Sequence, residues 1–326
     1  MIISKTPYRI SFFGGSSDYP EWYNTYKGTV ISSSINKYLY ISFRKLPNFF
    51  THKYRIVWSK IENVKKIDQI QHKVIKHLLK INNINDGLEI HYDGDLPARS
   101  GMGSSSSFVV GCLNSFLKFK NKKINKFNLA NNAINFEQNI LKENVGSQDQ
   151  VAAAYGGFNR IDFYKNNFKI KKIKSSKNLK ILEKNLMLIY TNINRTADNV
   201  AGTYVKKLKN EKKNYIDELI CHANEAEKIL EKGNIDDFGK LLHSSWILKK
   251  KLSKSISNNK IDELYDFAIK NGAYGGKILG AGAGGFLLFY IKNKDKKKLL
   301  KKNKKIIEVP FEFSNKGSEI IFNGNK

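Results

Sequence analysis

The sequence predicts an α+β chain of two domains, on three observations. The first part of the chain, up to about residue 173, mixes extended apolar stretches with helical ones, whereas residues 197–272 carry an almost unbroken helical spacing of apolar side chains. Two strand-like segments flanking a lysine-rich helix follow. The length, 326 residues, is also large for one hydrophobic core. The change of character falls between residues 165 and 185, and the expected domains are 1–175 and 176–326.

Taken in order, residues 9–13 read as a strand ending at Gly14-Gly15, and residues 38–43, 54–58 and 88–92 as further strands. Residues 68–80 place Ile70, Val74, Ile75, Leu78 and Leu79 at helical spacing. Residues 104–119 do the same with Val109, Cys112, Leu113, Phe116 and Leu117. A third helix is expected over 126–143, and residues 158–173 alternate like a hairpin. Beyond them come helices over about 197–209, 214–232, 235–253 and 260–271, with Asn234 and Gly272 as boundary signals. Strands at 286–291 and 306–313 complete the second half.

The formal net charge of +28 raises the question of nucleic acid. Lysine nevertheless dominates over arginine and is scattered through every segment, together with abundant Asn and Ile. Nucleic-acid surfaces concentrate arginine and aromatics on one face, so nucleic acid is not the expected partner. The longest clean apolar run, about 285–291, is far too short to span a bilayer. The N-terminus shows no signal-peptide pattern, and Cys112 and Cys221 form no metal or disulfide motif. A cytoplasmic protein, monomer or homodimer, acting on a small molecule without a membrane, is the expectation.

The strongest chemical signal is Asp95-Leu96-Pro97-Ala98-Arg99-Ser100-Gly101-Met102-Gly103-Ser104-Ser105-Ser106-Ser107, between a strand and a helix. Glycines allow close backbone approach, and the helix N-terminus presents free N–H groups and a positive dipole end, so the segment suits a triphosphate. The alternative is an ordinary serine N-cap, for which one serine would suffice. A Walker A loop fails around Lys277, where position 271 is Asn and Ile278 follows the lysine. Gly280, Gly282 and Gly285 spell GxGxxG but precede a strand instead of opening a helix, so a dinucleotide fold is excluded too. That glycine-rich turn instead suits close approach to a ligand or to the first domain.

Two acidic residues stand out. Glu137 lies on the apolar stripe formed by Ala133, Ile134, Ile140 and Leu141, where a carboxylate needs a cation: Mg²⁺, or a nearby Lys or Arg. Asp149 follows Gly146-Ser147-Gln148, between glycine turns, and is expected to be catalytic. Near the N-terminus, Arg9 opens an apolar strand where its charge must find a use, and Asp18 follows Gly14-Gly15-Ser16-Ser17. Asp18 is either a partner for sugar hydroxyls or an Asx-turn.

These segments, in this order and with Gly275-Gly276-Lys277-Ile278-Leu279-Gly280-Ala281-Gly282-Ala283-Gly284-Gly285-Phe286, resemble the GHMP kinases along the length of the chain. The resemblance implies the GHMP kinase fold: an N-terminal domain like domain 2 of ribosomal protein S5, a C-terminal ferredoxin-like domain, and an active site between them. It also implies an enzyme using ATP and Mg²⁺. Ser105 and Glu137 would ligate the metal. Gly101, Met102, Gly103 and Ser104 to Ser107 would wrap the phosphates. Asp149 would be the base, Arg9 would stabilise charge beside it, and Gly15, Ser16, Ser17, Asp18 and Gly282 would border the sugar. Gly15-Ser16 departs from the Glu-His of galactokinases, which argues against galactose.

Within the family, Gly14 to Tyr19, Thr191 to Ala197 and Gly285 to Tyr290 look most like kinases that phosphorylate the anomeric hydroxyl of D-glycero-D-manno-heptose 7-phosphate, on the way to a nucleotide-heptose for surface polysaccharide. A phosphorylated substrate needs a cationic clamp, for which Arg195 stands first and Arg99 and Lys37 behind it. The alternatives are a kinase for an unphosphorylated sugar such as fucose or glucuronate, a non-catalytic sugar sensor on the same fold, and a nucleic-acid-binding protein.

Overall fold

The protein is described by a computed structural model covering residues 1–174, 177–193 and 200–324. In the first half, strands β1 (Ile2–Phe13), β2 (Gly28–Lys45), β3 (Tyr54–Val57), β4 (Ile61–Val64), β5 (Leu88–Gly94), β6 (Phe158–Tyr164) and β7 (Asn167–Lys172) form one sheet. Helix α1 (Pro20–Tyr23) is a single turn after β1, and α2 (Lys73–Ile81), α3 (Ser104–Phe119), α4 (Lys126–Asn135) and α5 (Gln148–Tyr155) complete this half. β2 organises the sheet by changing partners. Its first residues, Gly28 to Ser33, pair antiparallel with β6, and Leu39 to Lys45 pair with β5. β1 runs antiparallel to β2 with two register shifts, one at Pro7/Arg9 and one at Ser11/Phe13.

The second half holds α6 (Lys177–Asn185), β8 (Leu186–Tyr190), α7 (Lys213–Lys232), α8 (Ile235–Leu252), α9 (Asn259–Lys270), β9 (Ala273–Ile278), β10 (Phe286–Ile291), α10 (Asn293–Lys302) and β11 (Ile307–Glu308). Its sheet has the antiparallel order β11-β8-β10-β9. β8 and β10 read as unbroken apolar runs because both of their faces are covered. Leu186, Leu188, Phe286 and Tyr290 join the core shared with the first sheet, while Met187, Ile189, Leu287 and Phe289 join a second core with Trp246 and Tyr265. The halves are fastened by aromatic packing. Phe238 of α8 meets Phe13 edge-on at 4.9 Å and Phe12 at 5.6 Å, all three fully buried. Each such phenyl ring contributes about 1.5–3 kcal/mol by burial. The last strand, β12 (Glu319–Asn323), returns to the first sheet and pairs with β1.

Several elements differ from expectation. The helix expected over 126–143 ends at Asn135 and continues as a π-turn, Phe136–Ile140, closed by Leu141 N–H donating to the Phe136 carbonyl. The extra residue per turn shifts the phase, so that Phe136, Glu137 and Leu141 are all buried. Of the helix expected over 197–209, the part among the described residues is mainly turns with a short 3₁₀ segment, Val205–Lys207. The strand expected over 306–313 keeps only β11 and an isolated bridge between Ile35 and Phe313. Asp149, read between glycine turns, lies in the first turn of α5. Among the described residues no helix is long and apolar enough to cross a membrane.

Candidate active site

The site is a cleft of about 460 Å³ between the two halves. Alternation along β1 turns Arg9 and Ser11 toward it while Ile10 enters the core; past the register shift at Ser11/Phe13, Phe12 and Phe13 are both in the core, and Phe13 also borders the cleft. The loop after β5 and the start of α3 form a second wall with Gly101, Gly103 and Ser104 to Ser106. The N-cap of α3 is Gly103, in left-handed backbone at φ 76°, and no side chain caps the helix. The serines are therefore not an N-cap, and the first N–H groups of α3 remain available to an anion. The glycine-rich turn after β9 closes against this loop. A Cβ on Gly101 would come within 2.6 Å of the Leu279 carbonyl oxygen, so only glycine permits the approach.

Arg9 and Asp149 form the central pair. Nε donates to Oδ1 at 2.7 Å and the terminal amino group to Oδ2 at 2.6 Å, while the other terminal nitrogen donates to the Gly101 carbonyl at 2.7 Å. This fork fixes both carboxylate oxygens relative to the Gly/Ser loop, and each keeps a lone pair for a further partner. Asp18 is buried in the adjoining turn. Its Oδ1 accepts from Ser16 N–H at 3.1 Å and its Oδ2 from Gln148 N–H at 3.3 Å. Burial first, and the charge of Asp149 second, push its carboxyl up to about 6. The Ser16 hydroxyl lies 3.3 Å from that of Tyr204.

Glu137 is fully buried beneath the serine loop, and its partner is Ser106. Ser106 Oγ donates to Oε2 at 2.7 Å and Gln150 donates to the same oxygen, whereas Oε1 has no hydrogen-bond partner. Burial raises the carboxyl to about 8. No Lys or Arg forms an ion pair with it among the described residues, so no described cation offsets its charge once it ionises. Mg²⁺ fits this donor set: an orphaned carboxylate oxygen on a side chain that also meets the Ser106 hydroxyl is hard oxygen chemistry. Among the described residues no cluster of three His, Cys, Asp or Glu could hold a metal unaided, so phosphate oxygens and water would supply the remaining ligands.

Of the residues expected at the site, Arg9, Gly15, Ser16, Asp18, Gly101, Gly103, Ser104, Ser105, Ser106, Asp149 and Gly282 line this one cleft. Three others face away. Met102 is fully buried in the core, Ser107 Oγ donates to the Pro7 carbonyl at 2.9 Å, and Ser17 Oγ donates to the Gly14 carbonyl at 2.7 Å. Ser105 is exposed at the rim, one residue before the serine that touches Glu137. Arg99 also lines the cleft, Lys37 does not, and Arg195 lies outside the described residues.

Two lysines were missed. Lys249 of α8 and Lys277 of β9 both line the cleft and are 9% and 5% exposed. A signal for Lys249 exists in the sequence. It falls at helical spacing from Leu242, Ser245, Trp246 and Leu252, all buried, but Lys250 and Lys251 beside it disguise it as part of a charged helix end.

A glycine-serine anion cradle beside a fixed Arg–Asp pair, in a cleft between the two halves, is the layout of a phosphotransferase. Comparison with known proteins agrees. Residues 69–157 match the N-terminal domain of the GHMP kinases, and residues 226–304 match their C-terminal domain. Over 317 residues, 92% of each chain, the sequence is 33% identical to the D-glycero-alpha-D-manno-heptose 7-phosphate kinase of Campylobacter jejuni. It is 30% identical over 239 residues to the mevalonate kinase of Methanocaldococcus jannaschii, covering 72% of each. In fold it is similar to the crystal structure of a D-glycero-D-manno-heptose 1-phosphate kinase from Bacteroides thetaiotaomicron, with a TM-score of 0.79, 22% identity and 99% of both chains covered. This chain belongs to the GHMP kinases, a family of ATP-dependent enzymes.

Proposed function

We propose that this kinase moves the γ-phosphate of ATP onto the anomeric hydroxyl of a sugar phosphate of the D-glycero-D-manno-heptose 7-phosphate type. The observation that carries the reading is the Arg9–Asp149 fork held against the Gly/Ser loop, in a chain similar over 92% of its length to a kinase of that substrate. In this reading Gly101, Gly103, Ser104 to Ser106 and the free N–H groups of α3 receive the triphosphate. Arg9 holds Asp149 where its carboxylate accepts the proton of the attacking hydroxyl, and Asp18 with Ser16 positions the sugar ring. Glu137 and the serine hydroxyls would hold Mg²⁺, which when bound neutralises charge on the phosphates. Positioning and electrostatics then supply most of the rate enhancement.

The test is a panel of sugars and sugar phosphates assayed for ADP release, with the anomeric phosphate identified by phosphorus NMR. Turnover with a heptose 7-phosphate and formation of the 1,7-bisphosphate supports the proposal. Preference for unphosphorylated fucose or glucuronate, or phosphorylation at another hydroxyl, overturns it.

A further inference from the structure

Lys249 and Lys277 are buried ammonium groups that the steps above leave without a task. Neither makes an ion pair with any described residue. Lys277 Nζ donates to the Phe12 carbonyl at 2.8 Å. Lys249 Nζ donates to the Ile278 carbonyl at 3.2 Å and to the Gly280 carbonyl at 2.5 Å. An ammonium has three N–H donors, so three of the six remain without a described acceptor. Both side chains open into the same cleft. Burial, the neighbouring lysine and Arg9 drive Lys249 well below the ordinary lysine range; burial and Arg9 bring Lys277 down to about 7.

Tying β9 to β1 does not explain two charges here. A neutral amide would make the same bonds to backbone carbonyls without the cost of burying two like charges beside a third. Arg9 is balanced by Asp149, and Asp18 is the acidic residue whose charge reaches both lysines. The cleft lining sets Arg9, Arg99, Lys249 and Lys277 against Asp18, Glu143 and Asp149, and neither lysine is paired with an acid among the described residues, so a bound anion is what would hold them charged.

We propose that Lys249 and Lys277 form a second anion seat that takes a phosphoryl group on the Asp18 side of the cleft, apart from the Gly/Ser loop that cradles the triphosphate. The proposal rests on the kinase reading for its physiological ligand, though not on the identity of the sugar. Two sources share this chemistry: a phosphate carried by the sugar, and the phosphoryl group in transit from the nucleotide. Recognition of either needs spare N–H donors and buried groups that take up positive charge as the anion enters, and the two lysines supply both.

The experiment uses the full chain with ADP and magnesium saturating the nucleotide site, titrated calorimetrically with inorganic phosphate. Wild type should bind phosphate, and Lys249→Gln and Lys277→Gln, which keep a donor for the carbonyls but lose the charge, should each weaken binding roughly tenfold or more, as for loss of a charged hydrogen bond. Lys249→Met and Lys277→Met serve if a glutamine variant misfolds, because a methionine relieves the buried charge. Steady-state kinetics then separate the sources. A raised KM for the phosphosugar with unchanged KM for ATP assigns the seat to the sugar's phosphate. An equal loss of kcat with phosphorylated and unphosphorylated sugars assigns it to the transferred group. Phosphate binding and kinetics unaltered in folded variants overturn the seat while leaving the kinase reading intact. Absence of ADP release by wild type with every sugar would sink the kinase reading, and the phosphate titration would still decide the seat.

Discussion

Asp149 and Glu137 are both carboxylates at the cleft, yet their surroundings give them different chemistry. Asp149 is partly exposed and has both oxygens engaged by Arg9, so it is oriented and accessible. Replacing it by Asn leaves the shape and removes proton acceptance. Turnover should fall by roughly 10²–10⁴, the usual contribution of a general base, with little change in KM for ATP. Turnover near that of wild type would remove Asp149 from the role of base. Glu137 is instead a buried acid with one oxygen unpartnered and its carboxyl raised to about 8. The folded chain thus keeps the Glu137 proton up to about pH 8, whereas the unfolded chain releases it near pH 4. Between those values the folded state binds more protons, so this group's contribution to stability falls as pH rises and its full cost applies above pH 8. Glu137→Gln should therefore raise the melting temperature of the metal- and nucleotide-free enzyme at pH 8–9 more than at pH 5, and abolish phosphoryl transfer. A lower melting temperature for the variant at both pH values would contradict this account.

At the scale of elements, the site is made by two loops that touch. The loop before α3 and the turn after β9 meet where Gly280, at φ 66°, would place a Cβ 2.6 Å from the Gly101 Cα, itself at φ 80°. Gly280→Ala should push the turn off the phosphate loop, raising KM for ATP and lowering the melting temperature, since neither backbone can yield. An unaltered KM would show that the turn does not hold the cradle's shape. Helix α3 was legible to the residue, because its apolar stripe begins directly after the serines and ends with the last apolar position, and α7, α8 and α9 were legible within a residue or so. The hairpin at β6 and β7 was visible for the same reason: clean alternation around a turn. β9 was not, because Gly275 and Gly276 break the strand signal: Gly275 is set by the close approach of α8, whose Gly239 carbonyl would lie 2.1 Å from a Cβ there, and Gly276 by β10, whose Leu288 carbonyl would lie 2.4 Å away. The π-turn at Phe136–Ile140 leaves no local mark that periodicity can register, since its hydrogen bonds answer to the burial of Glu137 beneath α3. In the site, glycines, serines and isolated acids announce themselves by being odd for their place. Lys249 and Lys277 did not, because in a chain with 57 Lys and Arg one more lysine carries little information.

Over the whole molecule that excess of positive charge, +28, is spread through every segment, and its general effect is to draw anionic small molecules such as ATP toward the surface. The fold is held together by a longer-range device. Residues near the C-terminus cross back from the second half and complete the first sheet, with β12 pairing to β1 from Ile2↔Asn323 to Lys5↔Glu319. Ser318 joins in just before it. Its hydroxyl lies 2.8 Å from that of Thr6, and it accepts from the Asn114 side chain at 3.1 Å. A chain ending at Gly317 would leave β1 as an exposed edge strand. With about 1 kcal/mol net per hydrogen bond, offset by the freedom regained by the removed residues, the loss is roughly 2–5 kcal/mol. Because the paired residues, 2–5, lie at the end of β1 that precedes Arg9, the cleft keeps its geometry while the molecule as a whole weakens. The shortened chain should therefore melt at a lower temperature and aggregate more readily, yet bind ATP at low temperature with the affinity of the intact enzyme. If nucleotide binding is lost while the melting temperature holds, then the returning strand acts on the cleft and not on the stability of the sheet.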